Sequence, residues 1–154
     1  KNNNIMKTLF EKLNENSGYK KTIKFDLEGA LKDLFYESEG AGFKGWKCPI
    51  WARIENNDLY LSLGQPGKNL FFKNPDGSVP LSWVGNIDCW NFPYTKDDWE
   101  ELGYDNPEDF DYDLELETYI EQMVNNMMRS YEIENIEDAI EKFCHSKGYN
   151  IKFI

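Results

Sequence analysis

Between Asp97 and Glu121 the chain carries twelve carboxylates: Asp97, Asp98, Glu100, Glu101, Asp105, Glu108, Asp109, Asp111, Asp113, Glu115, Glu117 and Glu121. Only Lys96, at the edge, opposes them. Elsewhere charge nearly cancels: residues 1–64 hold ten Lys and Arg against nine acids, 65–95 two of each, and 122–154 four against five. The net charge of −11 therefore comes from one short stretch. Aromatic rings are interleaved there, namely Trp99, Tyr104, Phe110, Tyr112 and Tyr119. Carboxylates so arranged can coordinate a hard cation, work in pairs as general acid and base, or present a negative field to a basic partner.

The cation reading meets a spacing problem. Asp109, Asp111, Asp113 and Glu115 alternate as in calcium loops, but an EF-hand loop starting at Asp109 needs Gly at its sixth position and Glu at its twelfth. Leu114 and Ile120 stand there instead. Paired-carboxylate hydrolysis is not selected either, because twelve clustered acids guarantee close pairs whatever the function. The recognition reading uses the pattern as it stands. Asp97, Asp98, Glu100, Glu101, Asp105, Glu108, Asp109, Asp111 and Asp113 would steer a basic protein. Trp99, Tyr104, Phe110 and Tyr112 would supply the desolvated anchors. The alternative is that the aromatics are core and the acids a solvated face. Concentrating like charge on one face destabilises the folded state, so solubility alone does not call for it.

Other candidates are weaker. His145 is the sole histidine, and Cys144 beside it would point about 100° away on a helix, so the two make no Cys–His dyad. Cys48, Cys89 and Cys144 have no ligand-like spacing, which leaves no zinc motif and reads as three reduced thiols. Gly40-Ala41-Gly42-Phe43-Lys44-Gly45 matches GxGxxG, but with a helix before it and a strand after it, the reverse of a dinucleotide loop. It reads as a connector. No catalytic residues, metal or cofactor are assigned.

These residues need elements to position them. Apolar spacing predicts helices over 5–17, from a cap at Asp26 to Ser38, over 113–131, and from a cap at Asn135 to Gly148. Thr95-x-x-Asp98 reads as a capping box on a short helix stopped by Gly103, and Asn106-Pro107 as a second helix start. Strands are predicted at Lys21–Phe25, 46–54, 59–63, Asn69–Lys73, Ser78–Val84, Ile87–Phe92 and Tyr149–Ile154. Asn56-Asn57 suits a two-residue hairpin turn that sets Ile54 against Leu59, Ala52 against Leu61 and Ile50 against Leu63. Arg53 then meets Tyr60 on the other face. Gly64–Gly67 and Asn74-Pro75-Asp76-Gly77 read as further turns. The resulting fold class is α+β: one domain over 1–154, with an antiparallel sheet of about four to six strands packed against N-terminal and C-terminal helices. The acidic helical segment 95–131 lies within it.

The acidity argues against nucleic acid and against anionic membranes as direct partners. No apolar run is long enough to span a bilayer and no signal-peptide core is visible, which places the chain in the cytoplasm. Lys-rich, Asn-rich usage suggests an AT-rich coding genome, as in a low-GC bacterium or its phage. In size, acidity and lack of catalytic residues the chain is similar to two broad classes. One is the immunity proteins that neutralise toxin nucleases. The other is the nucleic-acid mimics that inhibit restriction or CRISPR-type defence. The resemblance is one of physical character and carries over no residue. It implies a non-enzymatic inhibitor whose partner is a basic toxin nuclease or defence nuclease. The alternatives are a small hydrolase with an unrecognised carboxylate site, or an oligomeric phage structural protein.

Overall fold

The computed structural model describes residues 21–39, 47–64, 75–81, 86–88 and 90–154. The helix expected over 5–17, the connector Gly40–Gly45, residues 65–67 of the first turn, the strand at 69–73 and the end of the one at 78–84 lie outside them.

β2 (Lys47–Glu55) and β3 (Asp58–Leu63) form a hairpin. Asn56 and Asn57 take φ of 54° and 66°, the left-handed pair a two-residue turn requires. The register is the expected one: Ile50 opposes Leu63, Ala52 opposes Leu61 and Ile54 opposes Leu59. On the other face the Arg53 guanidinium lies 4.5 Å from the Tyr60 ring centroid. The second edge of β2 is shared end to end by two short strands. β4 (Val79–Pro80) pairs with Trp51 and Ala52, and β5 (Asn86–Asp88) pairs with Lys47 to Pro49, both antiparallel.

A single wide sheet of about four to six antiparallel strands is not shown among the described residues, where β3, β4 and β5 all pair antiparallel with β2. Among the described residues the hairpin sheet is three strands wide at any level. β1 (Thr22–Phe25) and β6 (Asn150–Phe153) make a separate two-stranded sheet, and it is parallel. Alternation of apolar residues places a strand but carries no information about its neighbour or its direction. Only the hairpin has turn chemistry that fixes both.

Three helices pack against these sheets among the described residues. α1 (Leu27–Ser38) starts as expected, with Asp26 Oδ1 accepting from Gly29 N at 3.0 Å. α2 (Tyr112–Met128) is capped by Asp111, whose Oδ1 accepts from Leu114 N at 3.1 Å. α3 (Glu132–Ser146) begins three residues before the expected cap, Asn135. Ser130 Oγ accepts from Glu132 N at 3.2 Å, so the chain re-enters helix directly after the break. That break also ends α2 at Met128 and leaves Tyr131, expected on its inner stripe, 77% exposed. Gly148, at φ 86°, turns the chain into β6.

One core joins the layers. Leu27, Leu31, Leu34 and Phe35 of α1, Ile50 and Ala52 of β2, Leu116, Ile120 and Val124 of α2, and Ile136, Ile140 and Phe143 of α3 belong to it. Each large aliphatic side chain so buried contributes ~1.5–3 kcal/mol. α1 packs on β3 and α2, and α3 packs on α2, β2 and β6. The α1–α2 contact is the one that shapes the acidic surface. No helix among the described residues is long and apolar enough to cross a membrane.

Candidate functional site

The acidic stretch is held by its own backbone logic. Thr95 and Asp98 form the expected capping box, with Asp98 Oδ2 accepting from Thr95 N at 2.8 Å. The turn they start, Lys96–Asp98, is a single 3-10 turn, and Gly103 at φ 90° reverses the chain after it. Pro107–Asp109 is a second 3-10 turn with Pro at its start. Asn106 does not cap it; its Nδ2 donates weakly to Asp109 at 3.4 Å. The two turns pack against each other.

Of the four proposed anchors, three are largely internal. Tyr104 and Phe110 meet edge to face at 5.9 Å, and both are half-buried, as is Trp99. Tyr104 OH donates to Glu115 Oε2 at 2.5 Å. That hydrogen bond, then burial, raises the Tyr104 pKa above 10.0. Tyr112 is 44% exposed, with its ring edge on Phe92 at 5.3 Å and its hydroxyl donating to Glu39 at 3.2 Å. Tyr119 belongs to a cluster with Trp90, Phe92 and Tyr94. Trp99, Tyr104 and Phe110 are thus half-buried, and Tyr112 is the exposed ring among the four.

The carboxylates divide differently. Asp98, Asp109, Asp111 and Glu115 accept the internal hydrogen bonds just described. Asp97, Glu100, Glu101, Asp105, Glu108, Asp113, Glu117 and Glu121 are exposed, and none makes a side-chain hydrogen bond or ion pair among the described residues. The described ion pairs join Lys32 to Glu28, Arg53 to Glu55 and Asp76, and Lys142 to Asp138, all outside the stretch.

Folding brings further acids to this face. Asp113, Glu117 and Glu121 lie one helical turn apart along α2. Across a groove of about 510 Å³ Glu117 and Glu121 confront Asp33 and Tyr36 of α1 and its cap Asp26. Burial, then Glu117, Glu121, Asp113 and Asp33 in that order, push the Tyr36 pKa above 10.0. That the acids of α1 and α2 would meet depends on the packing of the two helices.

The catalytic candidates are not brought together. None of the twelve carboxylates is buried, so none has the apolar pocket that a general acid requires. Asp109 sits in a 3-10 turn, Asp111 caps α2, and Asp113 and Glu115 are already in its first turn, so they form no loop around an ion. Among the described residues no three of His, Cys, Asp and Glu are grouped to hold a metal. Cys144 is fully buried, and burial, then Glu141, raises its thiol to about 11, the wrong direction for a nucleophile. His145 beside it is exposed. Cys48 is disulfide-bonded, which corrects the reading of three reduced thiols.

Comparisons with protein-family models, with curated proteins and with solved structures find no match to this chain.

Proposed function

We propose that the protein is a non-enzymatic inhibitor. In this reading it blocks a basic, nucleic-acid-processing protein, as toxin-immunity proteins and phage anti-defence factors do. The observation that carries the reading is the set of eight exposed carboxylates between Asp97 and Glu121 without a partner among the described residues. Acids that cap helices explain themselves; these do not. Spaced carboxylates can occupy a groove shaped for phosphates, and each contact to Lys or Arg is a charge-assisted hydrogen bond. Long-range attraction would also speed encounter and make association salt-sensitive.

The test uses the wild-type protein and a variant with Asp97, Glu100, Glu101, Asp105, Glu108, Glu117 and Glu121 changed to Lys. Among the described residues none of these side chains caps a helix end or accepts a hydrogen bond. Both serve as baits in lysate, and any retained protein is assayed for nucleic-acid cleavage with and without added wild type. Retention by wild type alone, release by salt and loss of cleavage are the expected results. Folded baits that retain nothing, or retain the same proteins, refute the reading. The proposal places the encounter in the cytoplasm. The Cys48 disulfide argues for an oxidising compartment, and thiol titration of protein taken directly from cells decides between them.

A further inference from the structure

The groove between α1 and α2 is more than a charged surface. Its lining mixes apolar and charged side chains, with the partly exposed Ala30 and Phe25 lying beside a nearly fully buried Ile120. Tyr36, 43% exposed, offers an open ring at the edge. The rim is acidic on both sides, with Asp33 on α1 and Glu117 and Glu121 on α2. The one cation lining it, Lys32, is 3.6 Å from Glu28 on its own helix.

We propose that this groove is the docking site for an Arg- or Lys-bearing segment of a partner protein. The inference rests on the binding-protein reading and moves its centre from the turns at 96–109 to the helix pair. A long basic side chain is matched at both ends. Its aliphatic stem covers the apolar part of the lining, while its charged head reaches the rim carboxylates. The Tyr36 ring adds a cation–π surface, best for guanidinium. A single metal ion does not fit, because the carboxylates are spread along the groove and no three are grouped. A polyanion is excluded by the sign of the rim. A neutral ligand would desolvate the carboxylates without pairing them.

The full chain, labelled with nitrogen-15, is titrated at low salt with a synthetic octapeptide of alternating Arg and Ala. Two variants accompany the wild type. Asp33→Asn/Glu117→Gln/Glu121→Gln neutralises the rim, and Glu100→Gln/Glu101→Gln/Glu108→Gln removes equal charge from the turns. Amide shifts are expected at Ala30, Tyr36 and Ile120. The rim variant should bind at least ~10-fold more weakly and the turn variant within ~3-fold of wild type, since charged hydrogen bonds are lost only in the first. Melting curves verify that both variants are folded. Equal weakening, or shifts confined to 96–111, overturns the groove and leaves the acidic-surface reading standing. Absence of wild-type binding overturns both. Displacement of the peptide by equimolar calcium overturns the groove assignment in favour of a cation site.

Discussion

If the acidic face is kept for binding, removing charge from it should stabilise the free protein. Glu117 is the sharpest place to ask. It stands four residues from Asp113 and four from Glu121 on α2, and it faces Asp33 and Tyr36 across the groove. It makes no side-chain hydrogen bond or ion pair among the described residues. Like charges at this spacing each cost a helix ~0.2–0.5 kcal/mol, so Glu117→Gln relieves two and stabilises by ~0.4–1 kcal/mol. For a chain of this length that corresponds to a rise in Tm of ~1–4 °C. Calorimetry at low salt measures it directly. The gain should shrink at ~1 M salt, where screening acts over ~3 Å. Glu28→Gln is the control of opposite sign. It removes one end of the Lys32–Glu28 pair, 3.6 Å apart, and an acid from the first turn of α1. Its Tm should fall. A Glu117→Gln protein that melts at or below the wild-type temperature, or whose shift ignores salt, refutes the claim that this face carries uncompensated repulsion.

Three further outcomes follow from the packing and the titrating groups. A Cβ at Gly64 would lie 1.8 Å from Trp51 Nε1, and Trp51 is buried, so Gly64→Ala should lower stability by ~1–3 kcal/mol, read from the urea midpoint. The pKa values of Tyr36, Tyr104 and Tyr112 are all raised above 10.0, so folding favours their neutral forms; the associated stability is intact below about pH 10 and is lost as pH rises through the folded values. Tyr104→Phe should make the alkaline loss of stability shallower, followed by circular dichroism, whereas an unchanged slope would contradict the Tyr104–Glu115 bond. With Cys48 in a disulfide and Cys144 free, denatured protein should titrate one thiol per chain before reduction and three after it; three at the outset would remove the disulfide.

What could be read from the sequence was what neighbouring residues decide among themselves. The β2–β3 register needed only a turn that tolerates positive φ and a period of two. The capping box at Thr95 and the cap at Asp26 are likewise contained within four residues. The failures required distant partners. β1 pairs in parallel with a strand at the other end of the chain, Ile23 beside Ile151, and nothing in either strand announces the other. Asn135 looked like a cap because caps are local, but Ile133 is buried and lengthens the inner stripe of α3 by a turn, so the helix starts earlier. The same limit applied to the site. Charge counting found the acids of 97–121, but the rings among them were legible only as anchors or core. Packing of Tyr119 against Phe92 and of Tyr104 on Phe110 leaves those rings half-buried, between the two alternatives.

The division among the carboxylates sharpens what charge alone suggests. An acid that caps a helix or accepts a tyrosine hydroxyl is explained by folding, and its loss would weaken binding only by disturbing the scaffold. Asp111 is of that kind: changing it uncaps α2 and shifts the whole groove wall, so weaker binding would say nothing about contact. Glu117 and Glu121 are of the other kind. They lie on a helix whose inner face, Leu116, Ile120 and Val124, is fixed in the core, so their position is rigid while their charge is unspent. A rigid backbone presenting unpaired charge beside a partly apolar cleft has already met part of the ordering cost of association. The exposed acids of the 96–109 turns do not line this groove. If the proposed reading holds, the turns would supply the long-range field that draws a basic partner in, and the α1–α2 groove would supply the contact that holds it.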